Sequence, residues 1–261
     1  MSSDMNLARE QYQMRGFWVA PKLLCDAQLD ILHEAMDDVM DGFYDTGIEP
    51  IDTAAQSYDP RDTIRDINQV HVANQAIYDL VTNTDLAHML AKVLDAKAIQ
   101  IWGTQLFHKP AALSRKCNIG WHQDYFFHKK YFEPDSEIFT VWIAISDVQE
   151  NSGPVQMVPG SHKWGFYDIQ SSPKEYILGQ LNEAQKSSWQ EVPVLLPAGC
   201  FSVHHSLTFH GSYSNLSNVP RRSIAIRLRT EKSRPASDSK VDLRDFQSYP
   251  IIMGTPEDFE F

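Results

Sequence analysis

Ile99-Gln100-Ile101-Trp102-Gly103-Thr104-Gln105-Leu106-Phe107, followed by Lys109-Pro110, is the stretch whose reading decides the fold. It is a short apolar run rich in β-branched and aromatic residues and closed by a proline, which is the signature of a strand. Similar runs follow at 138–146, 155–158, 192–196, 201–205 and 223–230, set apart by glycine and proline. Short strands punctuated in this way predict a mainly β chain, a two-sheet jelly roll or double-stranded β-helix.

The N-terminal part has a different texture. Residues 26–40 place Leu29, Leu32, Met36, Val39 and Met40 on one stripe, predicting an amphipathic helix with Asp26 as its cap. Asn83 or Thr84 caps a second such helix through Leu86, Met89, Leu90, Val93 and Leu94. Between the helices, 42–67 reads as a loop with Pro50 and Pro60, placed to line the entrance of a site. The tail beyond Pro235 is polar and reads as a surface wrapping. At 261 residues, with no internal repeat or low-complexity linker, the expectation is one domain. It comprises a helical layer at about 22–95, a jelly-roll core at about 98–230 and a tail at 231–261.

The net charge of −11 and pI near 5.3 argue against a nucleic-acid partner, because phosphate binding needs clustered positive charge. Arg227, Arg229, Lys232 and Arg234 are scattered and read as a solvated strand end. Cys25, Cys117 and Cys200 are odd in number and lack a C-x-x-C pair, so neither a disulfide framework nor a zinc site is indicated. The polar start and the lack of a long apolar run predict a cytoplasmic chain with no membrane partner.

The chemistry is carried by His122-Gln123-Asp124 and, far downstream, His210 and Arg221. Two imidazoles and one carboxylate form the facial ligand set of non-haem iron(II), which leaves positions open for O2 and a cosubstrate. Residues two apart in an extended segment point the same way, so His122 and Asp124 can reach one metal. The triplet alone is weak, since chance supplies about one H-x-[DE] in a chain of this composition. Its neighbours add weight: Gly120-Trp121 before it, 151–162 (NSGPVQMVPGSH), and His210-Gly211-Ser212 ahead of Pro220-Arg221-Arg222, in that order.

With these motifs the chain resembles the phytanoyl-CoA dioxygenase family of iron(II)- and 2-oxoglutarate-dependent oxygenases, from about Phe17 to Arg229. The resemblance implies a cupin-like jelly roll with His122, Asp124 and His210 as catalytic iron ligands. It also implies Arg221 on the distal carboxylate of 2-oxoglutarate, with Gln105, Trp142 and Ser212 as further cosubstrate contacts. Only an arginine forks onto a carboxylate, and of Arg221 and Arg222 just one side chain can face inward. The implied reaction uses O2 and 2-oxoglutarate, releases succinate and CO2, and hydroxylates an unactivated C–H of a small molecule. Desaturation, cyclisation and epimerisation share its opening step. Asp124 stands where halogenating relatives have a small residue, so halogenation is not expected.

Tyr125, Phe126, Phe127, Tyr131, Phe132, Trp164, Phe166 and Tyr167 crowd the segments expected near the metal, as an apolar or cation-accepting wall or as loop packing. Lys109, Arg115, Arg61 and Arg65 are possible partners of a substrate anion or plain surface charges, and His204 and His205 are reserve ligands. The lack of a cationic cluster speaks against a CoA thioester substrate. Two competing readings use the same residues: a non-catalytic jelly-roll metal- or ligand-binding protein, and a zinc hydrolase, in which Arg221 would have no purpose.

Overall fold

The computed structural model describes residues 2–52, 64–111 and 117–261. Helix α1 (Ser2–Arg15) leads through Gly16 into strand β1 (Phe17–Ala20) and helix α2 (Asp26–Met40). Helix α2 buries the stripe the spacing predicts, Leu29, Leu32, Met36 and Val39. Its cap is Cys25, whose backbone N–H donates to the Gln28 side chain at 2.9 Å, while Asp26 pairs with Lys22 at the surface. Helix α1 was not legible because it buries only Ala8 and Tyr12, too narrow a stripe to show in a polar sequence.

Strands β2 (Ile51–Asp52) and β3 (Arg65–Asn68) pair with each other, so the segment read as a loop contains a short strand and runs at its end into another. Residues 53–63 of that segment, Arg61 among them, lie outside the described residues, as does Arg115. Helices α3 (Gln75–Val81) and α4 (Thr84–Leu94) follow, the latter capped by Asn83, whose side-chain oxygen accepts from Leu86 N at 2.9 Å.

The remaining elements are β4 (Ile99–Lys109), β5 (Ile119–His122), the single-turn helix α5 (Tyr125–His128), β6 (Ile138–Ala144) and β7 (Val155–Met157). Helices α6 (Lys174–Gln180) and α7 (Glu183–Ser188) precede β8 (Val192–Pro193), β9 (Phe201–His205), β10 (His210–Ser212), β11 (Arg221–Thr230) and β12 (Ile251–Met253). Among the described residues the major antiparallel sheet runs β1-β9-β6-β11-β4-β3-β2, with β12 also on β4, and the minor sheet runs β5-β10-β7-β8.

Alternation along the central strands builds both cores. Phe139, Val141 and Ile143 of β6, with Ile224, Ile226 and Leu228 of β11, face the helical layer. Trp142, Ala144 and Ala225 point the other way and meet Met157 and Val194 beneath the minor sheet. The same parity sends Arg221 inward and Arg222 outward, where it forks onto Asp37 of α2 at 2.7 and 3.0 Å.

Two expectations fail at the C-terminal end. The tail is part of the fold: β12 pairs with β4, and Leu243 and Phe259 are buried. Arg229 is not solvated but fully buried, with its guanidinium against the rings of Phe259 and Phe261 and donating to Gln100 Oε1 and Glu260 O, both at 2.8 Å. A polar tail conceals this because a few aromatic side chains supply the burial. Among the described residues no helix is long and apolar enough to cross a membrane.

Burial pushes the imidazoles of His71 and His205 down to about 4 and that of His128 down to about 3. Their stabilisation is complete above the unfolded value near 6.5, and is lost as the pH falls through the folded values, because the unfolded chain takes up protons the native chain refuses. Urea midpoints are therefore expected to fall steadily from pH 7 to 4.5, with a shallower fall in His128→Phe. A midpoint independent of pH over that range would contradict the burial of these rings.

Candidate active site

Strands β5 and β10 are neighbours in the minor sheet, in a register that sets His122 directly opposite His210. Side chains so paired stand about 5 Å apart, and here the two ring centroids are 4.2 Å apart. Eighty-eight residues of sequence separation are thus closed by one pair of the ladder. Asp124 arrives differently from the expected extended segment: β5 ends at His122, and Asp124 heads α5. The turn is pinned by Gln123, whose amide donates to Gly165 O and Leu207 O at 2.9 and 2.8 Å and accepts from Tyr167 N at 2.8 Å.

The three candidate ligand atoms lie within 4.8 Å of one another. Asp124 Oδ1 is 3.7 Å from His122 Nε2 and 3.6 Å from His210 Nε2. The far side of each ring is tied to backbone, His122 Nδ1 to Gly120 O at 2.8 Å and His210 Nδ1 to Thr208 O at 3.0 Å. Since a carbonyl only accepts, each Nδ1 carries the proton and each Nε2 turns its lone pair to the centre. Asp124 Oδ2 accepts from Thr140 Oγ1 at 2.7 Å and His204 Nε2 at 3.0 Å, which leaves Oδ1 for a cation.

The electrostatics suit that role. Burial pushes His210 down to about 3, so its imidazole is neutral, the form that binds metal. Burial by itself would raise Asp124, but the hydrogen bonds it accepts from neighbouring side chains, His204 Nε2 among them, outweigh it and hold the carboxyl well below its usual range. Two neutral nitrogens and one carboxylate oxygen form a donor set that fits iron(II).

These atoms open on a cavity of about 910 Å³ between the sheets, lined also by Gln105, Trp142, Ser212 and Arg221. Arg221 is fully buried, its guanidinium 5.1 Å from the Trp142 ring centroid and donating to Gly153 O. Gly153 has φ +69°, and a Cβ there would stand 2.5 Å from Tyr213 O, so only glycine presents its carbonyl to Arg221 this way. Ser212 Oγ accepts from Lys109 Nζ at 2.7 Å. Gln105 bridges Asp66 and Arg227 at the cavity wall, four residues before Lys109, the register partner of Arg221, on β4.

Three contributors escaped the sequence reading in their present roles. Thr140 looked like an ordinary strand residue, and its place opposite Arg227 and next to the Asp124 carboxylate emerges only from register. His204 was a reserve ligand and instead orients Asp124, while His205 accepts from Leu207 N. Lys109, left unassigned, is buried across the ladder from Arg221, and burial together with that neighbouring charge pushes it down to about 6. Of the aromatic segments, Phe126, Phe127 and Tyr131 line the cavity. Tyr125 and Phe132 are core, and Trp164 and Tyr167 pack around Phe209.

Thr140→Val removes one of two donors to Asp124 Oδ2 at nearly constant volume. Iron(II) affinity is expected to drop about 10- to 100-fold, as for other groups that orient a ligand. Competitive titration against a metal-sensitive dye checks this, and unchanged affinity would remove Thr140 from the site.

A jelly roll with two histidines and one aspartate converging beside a buried arginine defines the class of non-haem iron oxygenases. The profile of the phytanoyl-CoA dioxygenase (PhyH) family matches residues 12–223, and the chain belongs to that family. It is 29% identical over 171 residues to a probable alpha-ketoglutarate-dependent hypophosphite dioxygenase of Stutzerimonas stutzeri, an alignment covering 62% of this chain and 56% of that protein. It is 24% identical over 174 residues to ectoine dioxygenase of Bordetella parapertussis, again covering 62% and 56%. The chain thus spans little more than half the length of these curated relatives.

Among solved structures, the epimerase SnoN in complex with Fe3+, alpha-ketoglutarate and nogalamycin RO superposes with TM-score 0.72 at 18% identity, covering 92% of this chain and 88% of that one. EctD from S. alaskensis with 2-oxoglutarate and 5-hydroxyectoine gives 0.70 at 18% identity, covering 87% and 77%. Both share the jelly-roll fold, and the family's cofactors are iron and 2-oxoglutarate.

Proposed function

We propose that this chain is an iron(II)- and 2-oxoglutarate-dependent dioxygenase that hydroxylates an unactivated C–H of a small metabolite, its helical layer, jelly roll and tail acting as one catalytic domain. The observation that carries the reading is the convergence of His122 Nε2, Asp124 Oδ1 and His210 Nε2 on the wall of a cavity that also holds Arg221. Iron(II) with 2-oxoglutarate and O2 supplies the oxidising power, with succinate and CO2 as coproducts. His122, Asp124 and His210 hold the metal. Arg221 takes the distal carboxylate of 2-oxoglutarate in a forked pair, buried where a guanidinium interacts most strongly.

Trp142 covers one face of the Arg221 guanidinium and keeps water from it. Ser212 offers its hydroxyl proton to the cosubstrate while accepting from Lys109, and Gln105 borders the space where substrate and cosubstrate meet. The relatives named above act on hypophosphite and ectoine, which supports a small-molecule substrate.

The test is a substrate screen read by succinate release, followed by product mass under ¹⁸O2. Substrate-dependent succinate with one labelled oxygen in the product is the expected result. Succinate with an unlabelled, ring-closed, desaturated or epimerised product would reassign the outcome of the reaction. No succinate from any iron-loaded sample would overturn the reading.

A further inference from the structure

Two arginines of strand β11 line the cavity, Arg221 and, six residues on, Arg227. At about 3.3 Å per residue their backbones lie about 20 Å apart, so one anion cannot serve both. Arg221 is assigned above to the cosubstrate. Arg227 lines the same cavity and its guanidinium donates to two neutral oxygens, Asn68 Oδ1 at 3.2 Å and Gln105 Oε1, and lies 6.0 Å from the ring centroid of Trp102. Asp66 is near, but its carboxylate is engaged by the Gln105 amide; among the described residues Arg227 makes no ion pair.

The position of this cation is tied to the metal residues. Arg227 is the register partner of Thr140, and Thr140 donates to Asp124. The Arg227 backbone therefore lies about one strand spacing, roughly 4.8 Å, from the row that supports the metal ligand, and its guanidinium turns from there toward β4 and β3, where Gln105 and Asn68 accept from it. Trp102 stands beside it, and Phe126, Phe127, Tyr131 and Val241 line the same cavity. Lys129 and Lys130, also at the cavity, are already occupied, the first with Asp168 and the Phe126 ring, the second over Tyr131. A half-buried guanidinium with no carboxylate in direct contact among the described residues, in a cavity with aromatic lining, is a receptor for a planar two-oxygen anion.

We infer that Arg227 anchors the substrate of this enzyme, and that the substrate is a monocarboxylate whose apolar body lies against Trp102, Phe126 and Phe127. The inference rests on the iron and 2-oxoglutarate reading of the same cavity. It replaces the view of Arg227 as a solvated strand-end charge.

The experiment uses the full chain loaded anaerobically with iron(II) and 2-oxoglutarate. Phenylacetate and cyclohexanecarboxylate, each beside its primary amide, are titrated in by calorimetry, with 2-oxoglutarate affinity measured separately on the iron-loaded protein. The acids are expected to bind at least about 10-fold more tightly than the amides, the margin a charge-assisted pair provides. Arg227→Met should erase that preference, and Arg227→Lys, which keeps the charge but not the fork, should retain part of it. Both variants should bind 2-oxoglutarate within about twofold of the parent and match it in far-UV circular dichroism. Equal binding of acid and amide, binding of neither, or a loss of 2-oxoglutarate affinity in Arg227→Met as large as the loss for the acid would overturn the proposal. Failure of the unaltered protein to bind 2-oxoglutarate is a separate result, which removes the cofactor reading itself.

Discussion

His210→Ala and Asp124→Ala are each expected to lower turnover by about 10³-fold or more, at least about 4 kcal/mol of lost transition-state stabilisation. His210 contributes one of the nitrogens that close the donor set, and its ring is positioned twice over, by pairing with His122 across β5 and β10 and by its bond to Thr208 O. Among the described residues the nearest imidazole besides His122 is no substitute, since His204 Nε2 is committed to Asp124 Oδ2. Removing Asp124 withdraws the only carboxylate of the set and leaves Thr140 and His204 without their acceptor. Steady-state succinate release checks both variants, alongside urea unfolding to show that the fold survives. A fully active, iron-dependent variant would disprove the assignment of that ligand.

Arg221→Met is expected to weaken 2-oxoglutarate binding about 10- to 150-fold, corresponding to about 1.5–3 kcal/mol for a charge-assisted pair. The variant also leaves the Gly153 carbonyl without its donor, which lowers stability rather than affinity. Arg222→Ala provides the contrast. Its fork onto Asp37 joins β11 to α2 at the surface, so stability falls by about 0–1 kcal/mol and cosubstrate affinity stays unchanged. Direct titration of 2-oxoglutarate into the iron-loaded variants separates the two. If Arg222→Ala lost the cosubstrate and Arg221→Met kept it, the register of β11 would be wrong by one residue.

How far the fold could be read from sequence depends on where each signal resides. The strands of the major sheet were legible because β6 is buried on both faces and reads as an almost continuous apolar run, and because β11 carries Ile224, Ile226 and Leu228 in alternation. Helices α2 and α4 announced themselves by wide apolar stripes, and α1 did not, because Ala8 and Tyr12 are its only buried hydrophobics. The tail misled because its burial rests on Leu243, Phe259 and the stacking around Arg229.

For the site, His122, Asp124, His210 and Arg221 stood out by residue type and order, and the structure brings all four to one cavity. Thr140, His204, Lys109 and Arg227 did not, since their surroundings depend on which strand lies beside which. A lone arginine in a strand carries no mark of whether it meets water, as Arg229 and Arg227 both illustrate.

An anaerobic titration of the apo-protein with iron(II) and then 2-oxoglutarate, followed by visible absorption, bears most directly on the assignment of this cavity. The expected result is a weak charge-transfer band that saturates at one iron and one cosubstrate per chain, and that is lost in His210→Ala. A well-folded parent protein with no band, or a band undiminished in His210→Ala, would contradict it.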